Sequence, residues 1–324
     1  MIKRIHVIGT GGTISAAGEA GKTTSYQAGA FDASQLLEGL PSLDGIADLT
    51  YEQIFSVASE SLSNAQLLQL GQRVQAVLAD ESVDGVVISH GTDTLEETAY
   101  FLHLTAPSDK PIVLTGAMRP ATAASADGPM NLYQAICLAA SDQAVGMGAL
   151  VAFSDGIYSG RDVQKTSNFR PQAFDSRNLG CLGYLREDQA YFLQRPTKPS
   201  PRIDLSGIDQ LPRVDIAYYH VGASADILDF FKDHADGIVL AGVGTGNISQ
   251  DWCDYIKSQE DQLPPMVRSS RVANGLTVYE SSVDEGMPFI PSGSLPPSKA
   301  KILLTLLLTQ TQDPQAIREA FGRY

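Results

Sequence analysis

Apolar and polar positions along this chain alternate in blocks whose period switches between two and about 3.6, the mark of strands interleaved with helices. Short apolar runs bounded by turn residues predict strands at residues 2–8, 53–58, 85–89, 111–114 and 149–153. Between the second and third of these, Leu67, Leu70, Val74, Val77 and Leu78 recur at helical spacing, with Ser63 ahead of them as an N-cap and Gln66 in the capping-box position. A helix is predicted at residues 95–104, where Leu95, Thr98, Ala99 and Leu102 form one face, and Pro107 and Pro111 bracket the return to the sheet. Another at residues 127–140 has Pro129 in its first turn and turns Met130, Tyr133, Ile136 and Cys137 toward a core. Residues 156–160 read as a turn or hairpin and residues 166–186 as irregular strands.

The stretch RPTKPSPR, residues 195–202, mixes prolines with basic residues and predicts a linker. Beyond it the alternation resumes: strands at 214–219 and 237–243, helices at 225–234 and 250–258, and short strands near Met266 and Leu276. An amphipathic helix is expected at 299–308, and a last one starts at Asp313 as N-cap with Pro314 behind it, ahead of Ile317, Ala320 and Phe321. The pattern is α/β throughout: a larger N-terminal domain at residues 1–194, a linker at 195–212, and a smaller C-terminal α/β domain at 213–324. Sheets of this kind bind ligands beyond the carboxyl ends of their strands, which directs attention to the loops after residues 8 and 89.

Composition narrows the possibilities further. With 43% hydrophobic and 19% charged residues, disorder is excluded as the dominant state. A net charge of -14 offers no field for capturing a phosphate backbone, so no nucleic-acid partner is expected. The best apolar run, residues 302–308, is too short to span a bilayer, so no membrane partner is expected either. The segment MIKRIHVIGTGG lacks a long apolar signal region. The chain as given reads as cytoplasmic, with a periplasmic location after removal of a signal peptide as the alternative. Cys137, Cys181 and Cys253 match neither zinc-site nor redox-pair spacing, and leave one disulfide plus a free thiol open. The dispersed histidines form no ligand pattern, so no metal is expected, and His90 and His220 read as core or supporting residues.

In GTGGTIS, Gly9, Gly11 and Gly12 fit part of a dinucleotide fingerprint, but Ile14 stands where its third glycine belongs. The segment 242–246 lacks the lysine and hydroxyl of a phosphate-binding loop. Thr13 is a candidate nucleophile: the preceding glycines permit a tight turn that presents its hydroxyl. A hydroxyl needs a base, and Tyr26 is the nearest candidate relay. The alternative has Thr13 capping a turn and Tyr26 anchoring a loop. In GVVISHGTDTLEE, Thr92 and Asp93 could cap the following helix. They could equally hold a ligand ammonium at Asp93 and place a water or take a proton at Thr92. Lys165 is a surface lysine on one reading and, on the other, a base for a hydroxyl close by, if its pKa is lowered.

The strings IGTGGTIS, VASES, SHGTDTLEETAYFL, LTGAMRP, SADGPMNL, SGRDVQKT, GVGTGNI and KAKILLTLLLTQTQDP follow one another along the chain. On these the sequence resembles the bacterial-type L-asparaginases and glutaminase-asparaginases, type II-like, over essentially its full length. The resemblance implies a flavodoxin-like parallel sheet in the larger domain. It implies hydrolysis of the side-chain amide of L-asparagine, and in some members L-glutamine, to the acid and ammonia, with no metal and no organic cofactor. Thr13 then corresponds to the nucleophile with Tyr26 beside it, and Thr92, Asp93 and Lys165 to a second catalytic group. Ser59, Glu60 and Asp93 would hold the substrate's α-carboxylate and α-ammonium, and Gly91, Thr92 and Ala117 would line the pocket. A homotetramer built as a pair of intimate dimers is implied, with Asn247 reaching the site of a neighbouring subunit. The glutamate that the family supplies beside that asparagine falls near Ser282 here, with Glu280, Asp284 or Glu285 as candidates to replace its charge. Glu60 in SES resembles the dual-activity members, whereas many asparagine-preferring members carry glutamine, so glutaminase activity is expected too. The alternative on the same fold is a non-catalytic amino-acid sensor that keeps the Ser59, Glu60 and Asp93 grip.

Overall fold

The computed structural model describes residues 2–15, 17–18, 21–22, 26–27, 37, 39–176, 178–196 and 202–323. The chain divides into two compact units, Met1–Ser206 and Gly207–Tyr324. The strands of the first unit are β1 (Lys3–Gly11), β2 (Ala17–Gly18), β3 (Tyr26–Gln27), β4 (Ala47–Val57), β5 (Gly85–Ser89), β6 (Ile112–Thr115), β7 (Ala149–Phe153), β8 (Gly156–Ser159), β9 (Gln164–Lys165), β10 (Phe174–Asp175), β11 (Gly183–Arg186) and β12 (Gln189–Phe192). β2 with β3 and β9 with β10 form separate ribbons, and among the described residues the rest make one sheet in the order β12-β11-β8-β7-β6-β5-β1-β4.

From β4 to β7 every pair is parallel. Counted among themselves, these strands run 2-1-3-4-5, the flavodoxin order, whose switch point lies between β1 and β5. The sheet is mixed, however, where a parallel one is implied. Ser154 and Asp155, at φ 46° and 64°, make a two-residue hairpin turn that sends β8 back antiparallel to β7. β11 and β12 continue antiparallel to the edge.

The inner strands are covered on both faces, which is why β5 reads as an unbroken apolar run and is buried along its length. Their cover comes from α1 (Asn64–Ala79), α2 (Leu95–Thr105) and α3 (Gly128–Ala140). The capping box forms: Gln66 N donates to Ser63 Oγ at 3.2 Å and Ser63 N donates to Gln66 Oε1 at 3.0 Å. Ile5, Val7, Val87, Val113 and Leu150 of the sheet share a buried cluster with Leu132, Ala135, Ile136 and Ala139 of α3. Tyr133 and Cys137 are buried too, but Met130 is 47% exposed, because the inward position in that first turn belongs to Asn131.

The second unit is a parallel sheet of β13 (Val214–Tyr218), β14 (Gly237–Gly242), β15 (Met266–Ser270) and β16 (Phe289–Pro291) in sequential order. Its helices are α4 (Ile227–His234), α5 (Gln250–Ser258), α6 (Ser281–Asp284), α7 (Pro297–Leu308) and α8 (Pro314–Phe321). The strand expected near Leu276 does not form: Leu276 is exposed and only Thr277 makes a bridge, to Gly293. α7 is not amphipathic; residues 302–308 are all buried, and so is Lys299, because α7 packs along β13, β14 and β15. Asp313 Oδ1 caps α8 by accepting from Gln315 N at 3.0 Å.

The division between units falls within the expected linker, of which residues 197–201 lie outside the described residues. Residues 202–206 belong to the first unit: Ile203 and Leu205 are buried, and Ile203 N donates to Leu104 O at 2.8 Å. All three cysteines are free thiols. Among the described residues no helix is long and apolar enough to cross a membrane.

Candidate active site

At the switch point the loops after β1, β4 and β5 meet at close quarters. Gly12 has φ 84°, and a Cβ there would sit 2.4 Å from Gly91 Cα. A Cβ on Gly91 would in turn sit 2.7 Å from Ser59 Oγ. Gly12 N donates to Val57 O at 3.1 Å, fixing the first loop to the end of β4. The glycines therefore do more than free the backbone before Thr13: they let the end of β1 lie main chain to main chain on the ends of β4 and β5, with the Ser59 side chain packed between the latter two. Thr13 opens a short 3₁₀ turn at this junction.

A cavity of about 380 Å³ opens there, and its lining includes Thr13, Ser59, Glu60, Gly91, Thr92, Asp93 and Lys165. Gly12, Ala58, Met118 and Asn168 line it as well. Ala117, expected in the wall, is fully buried in the core cluster, and its neighbour Met118 faces the cavity in its place. The backbone of Tyr26 pairs with Gly18, but its side chain lies outside the described residues. A wider bowl of about 580 Å³ shares Asp93, Lys165 and Asn168 with this cavity and extends over Ser167, Phe169 and Arg170.

Lys165 Nζ lies 2.9 Å from Thr92 Oγ1 and 2.5 Å from Asp93 Oδ1. The lysine is delivered by the β9–β10 ribbon, where it pairs with Phe174. Phe174 is buried edge-on against Phe153 at 4.9 Å, and Lys165 N donates to Glu96 Oε2 at 2.6 Å. The Lys165 side chain is 16% exposed and Asp93 58%, so the ion pair has one foot in the interior and one in the cavity mouth. Helix capping does not account for Thr92 and Asp93. The N-cap of α2 is Thr94, which makes no side-chain capping bond, and its hydroxyl donates instead to Ser59 O at 2.9 Å. Asp93 N donates to Ser59 Oγ at 3.1 Å, which leaves the serine proton available to a ligand.

His90 is buried below Gly91 as a supporting residue. Its Nδ1 bonds Gly91 O at 2.7 Å and its Nε2 bonds Thr98 Oγ1 at 3.1 Å. Because the carbonyl only accepts, Nδ1 carries the proton and Nε2 accepts from the threonine. Burial pushes the His90 pKa from 6.5 down to about 4, against the opposing effect of the Gly91 carbonyl. His220, expected in a similar role, is exposed in the second unit, with Nδ1 bonded to Val221 O. Two carboxylates have structural roles that no local motif announces. Glu96 holds the Lys165 backbone, and Asp127 accepts from Met118 N and Arg119 N at 2.9 Å each, fixing the wall that carries Met118.

In the second unit Asn247 is exposed on a turn whose backbone is closed by mutual bonds with Val243, at 2.7 and 2.9 Å. Arg268 braces that turn, donating to Thr245 O at 2.5 Å while gripping Asp284 through two bonds of 2.8 and 2.7 Å. Ser282 is exposed on α6. Asp284 cannot supply the missing outward charge, because its carboxylate is fully buried against Arg268 and Glu280 N. Glu280 is half-buried and Glu285 exposed. Among the described residues no group of three or more His, Cys, Asp and Glu side chains is arranged to hold a metal.

Comparison with known proteins bears on this arrangement directly. Residues 4–198 match the family described as Asparaginase, N-terminal, and residues 213–321 match the Glutaminase/Asparaginase C-terminal domain. The chain is 40% identical to the probable periplasmic L-asparaginase of Haemophilus influenzae, over 99% of this chain and 93% of that one. It is 40% identical to the glutaminase-asparaginase of Pseudomonas fluorescens biotype A, over 100% and 91%. The crystal structure of a probable cytoplasmic L-asparaginase from Campylobacter jejuni superposes with a TM-score of 0.94 at 41% identity, covering 99% of this chain and 100% of that one.

Proposed function

The chain belongs to the bacterial-type asparaginase and glutaminase-asparaginase family, and from that premise we propose that it hydrolyses the side-chain amides of L-asparagine and L-glutamine to the acids and ammonia through Thr13. The observation that carries this reading is the contact of Lys165 Nζ with both Thr92 Oγ1 and Asp93 Oδ1 in the cavity that Thr13 also lines. A zwitterionic substrate needs donors for its carboxylate and acceptors for its ammonium. Ser59 Oγ supplies a donor, and Glu60 and Asp93 supply carboxylates at the mouth. Held there, the side-chain amide lies across the cavity toward Thr13.

Thr13 Oγ attacks the amide carbon, and the resulting oxyanion is stabilised by donors around Thr92. The proton lost by Thr13 ends on the leaving nitrogen, the C–N bond breaks and ammonia departs. Water then attacks the threonyl ester and its proton returns to Thr13, releasing the acid. The Thr92–Lys165 contact supports that pair as proton carrier, taking the proton from the attacking oxygen in each half of the cycle and handing it to the departing atom, nitrogen first and Thr13 Oγ second. Tyr26 is the second candidate relay.

We further propose a homotetramer, as a pair of intimate dimers, in which Asn247 completes a neighbouring subunit's site. Support comes from the braced turn that presents Asn247 and from exposed apolar residues in the second unit, including Val221 at 98% and Leu276 at 61%. Light scattering that returned a monomer would remove it.

The test is ammonia release from each amide by the wild-type enzyme and by Thr13→Ala. The variant should lose turnover while calorimetry still detects asparagine binding; undiminished turnover would remove Thr13 from its role. Binding without ammonia release in the wild type would instead identify a sensor. A catalytic efficiency on glutamine thousands of times below that on asparagine would remove the dual activity, since one methylene alone is worth only about 1–3 kcal/mol.

A further inference from the structure

We infer that Asn131 is a positioning residue that sets the Thr92–Lys165 contact by tying together the two walls that carry them; the inference rests on the catalytic role proposed above for that pair. Asn131 is 3% exposed in the first turn of α3, and its amide is engaged in three directions. Nδ2 donates to Gly116 O at 3.0 Å and to Asp127 Oδ2 at 3.3 Å, and Oδ1 accepts from Ser154 N at 3.0 Å. Each of the two longer-range bonds leads to one member of the pair.

Gly116 is the back wall of Thr92. A Cβ at position 116 would lie 2.5 Å from His90 O and 3.2 Å from Thr92 Cγ2, so the main chain that Asn131 holds is packed directly on the threonine. Ser154 leads to the lysine. Its hydroxyl donates to Pro171 O at 3.0 Å, and two residues on, Ala173 O accepts from Thr166 N at 2.7 Å, adjoining the pairing of Phe174 with Lys165. One buried amide thus connects the strand end behind Thr92 to the ribbon that delivers Lys165. The 2.9 Å contact between them spans that connection.

Ser59 and Glu60, by contrast, stand on the turn after β4, and the Asp93 N–H that meets Ser59 stands at the entrance to α2. None of these makes a hydrogen bond to Asn131. Loss of the amide should therefore slow chemistry while leaving substrate binding nearly intact, a division between kcat and KM that a general loss of stability does not produce.

The experiment compares Asn131→Ala and Ser154→Gly with the wild type on asparagine. Asn131→Ala should lower kcat by about tenfold to a hundredfold with KM within about threefold, the scale for misplacement of reacting groups by an ångström or less. Ser154→Gly removes the hydroxyl link at a turn position with φ 46°, where glycine is at home, so its melting temperature should stay close to wild type while kcat still falls by about threefold to tenfold. Wild-type kcat in both folded variants would overturn the inference, as would losses confined to KM. A crystal structure of Asn131→Ala, or of Ser154→Gly should that variant not fold, reads the same point without turnover. Separation of Lys165 from Thr92 beyond hydrogen-bond distance supports the inference, and an unchanged contact refutes it. If the wild type hydrolyses neither amide, the proposed activity fails, and the crystallographic arm still decides whether the amide sets the contact.

Discussion

Acid should destabilise this protein through His90, and the size of the effect follows from its surroundings. The imidazole is fully buried and neutral, donating to Gly91 O and accepting from Thr98 Oγ1. In the unfolded chain the same histidine titrates normally, so below pH 6.5 the unfolded state takes up a proton that the folded state refuses until about pH 4. Stability from this source is intact above pH 6.5, falls as pH drops, and is fully lost by about pH 4. The gap from 6.5 to about 4, at about 1.4 kcal/mol per pH unit, amounts to about 3–4 kcal/mol, a large part of a typical domain's stability. The check is urea unfolding at fixed protein concentration from pH 7.5 to pH 4, for the wild type and His90→Gln. Glutamine can replace the bond to Gly91 but does not titrate, and the carboxylates contribute equally to both curves. The variant should start lower and lose about 3 kcal/mol less over that range. Parallel curves, differing by less than about 0.5 kcal/mol in their fall, would refute the reasoning.

Two further outcomes follow from packing. Gly12→Ala places a methyl 2.4 Å from Gly91 Cα at φ 84°, so the loops must part. We expect a loss of about 3 kcal/mol or more in thermal unfolding and at least a hundredfold fall in kcat/KM by ammonia release; retention of activity would mean that the junction yields elsewhere. Asp284→Ala strands a fully buried Arg268 and should cost about 3–5 kcal/mol in urea unfolding, whereas Arg268→Met combined with Asp284→Leu should recover at least half of it. A double variant as unstable as the single one would show that the bonds from Arg268 to Thr245 and Val278 matter more than the ion pair.

Much of this was legible in the chain because the cavity's residues sit at the ends of apolar strands, where polar strings such as GTDT interrupt a strong pattern. β5, β7 and α5 begin and end where the periodicity says. β4 begins six residues before its predicted start, at Ala47, because its register comes from pairing with β1 and its own residues alternate too weakly to announce an edge strand. β16 is only three residues long and shows no period that would identify it, whereas α7 forms over the expected residues 299–308 but is buried nearly all round instead of on one face. In the site, Thr92 and Lys165 were nameable from local strings, but Glu96, Asp127 and Asn131 act on main chain or on residues brought near by the fold. A carboxylate that accepts from Lys165 N across 69 positions leaves no local trace.

The junction at Gly12, Gly91 and Ser59 bears on how such an enzyme could be retuned. The loop carrying the nucleophile meets the loop after β5 through bare main chain, and Gly91 is packed on the Ser59 side chain, so a side chain added at either glycine has no room. They behave as a single inherited block. Latitude for changing substrate preference lies instead with Met118 and Asn168, which line the cavity without belonging to that seam or to the α-group grip. A mutant library confined to those two positions would explore selectivity while leaving the grip and the seam in place, whereas one that includes the glycines would mostly sample failures of assembly.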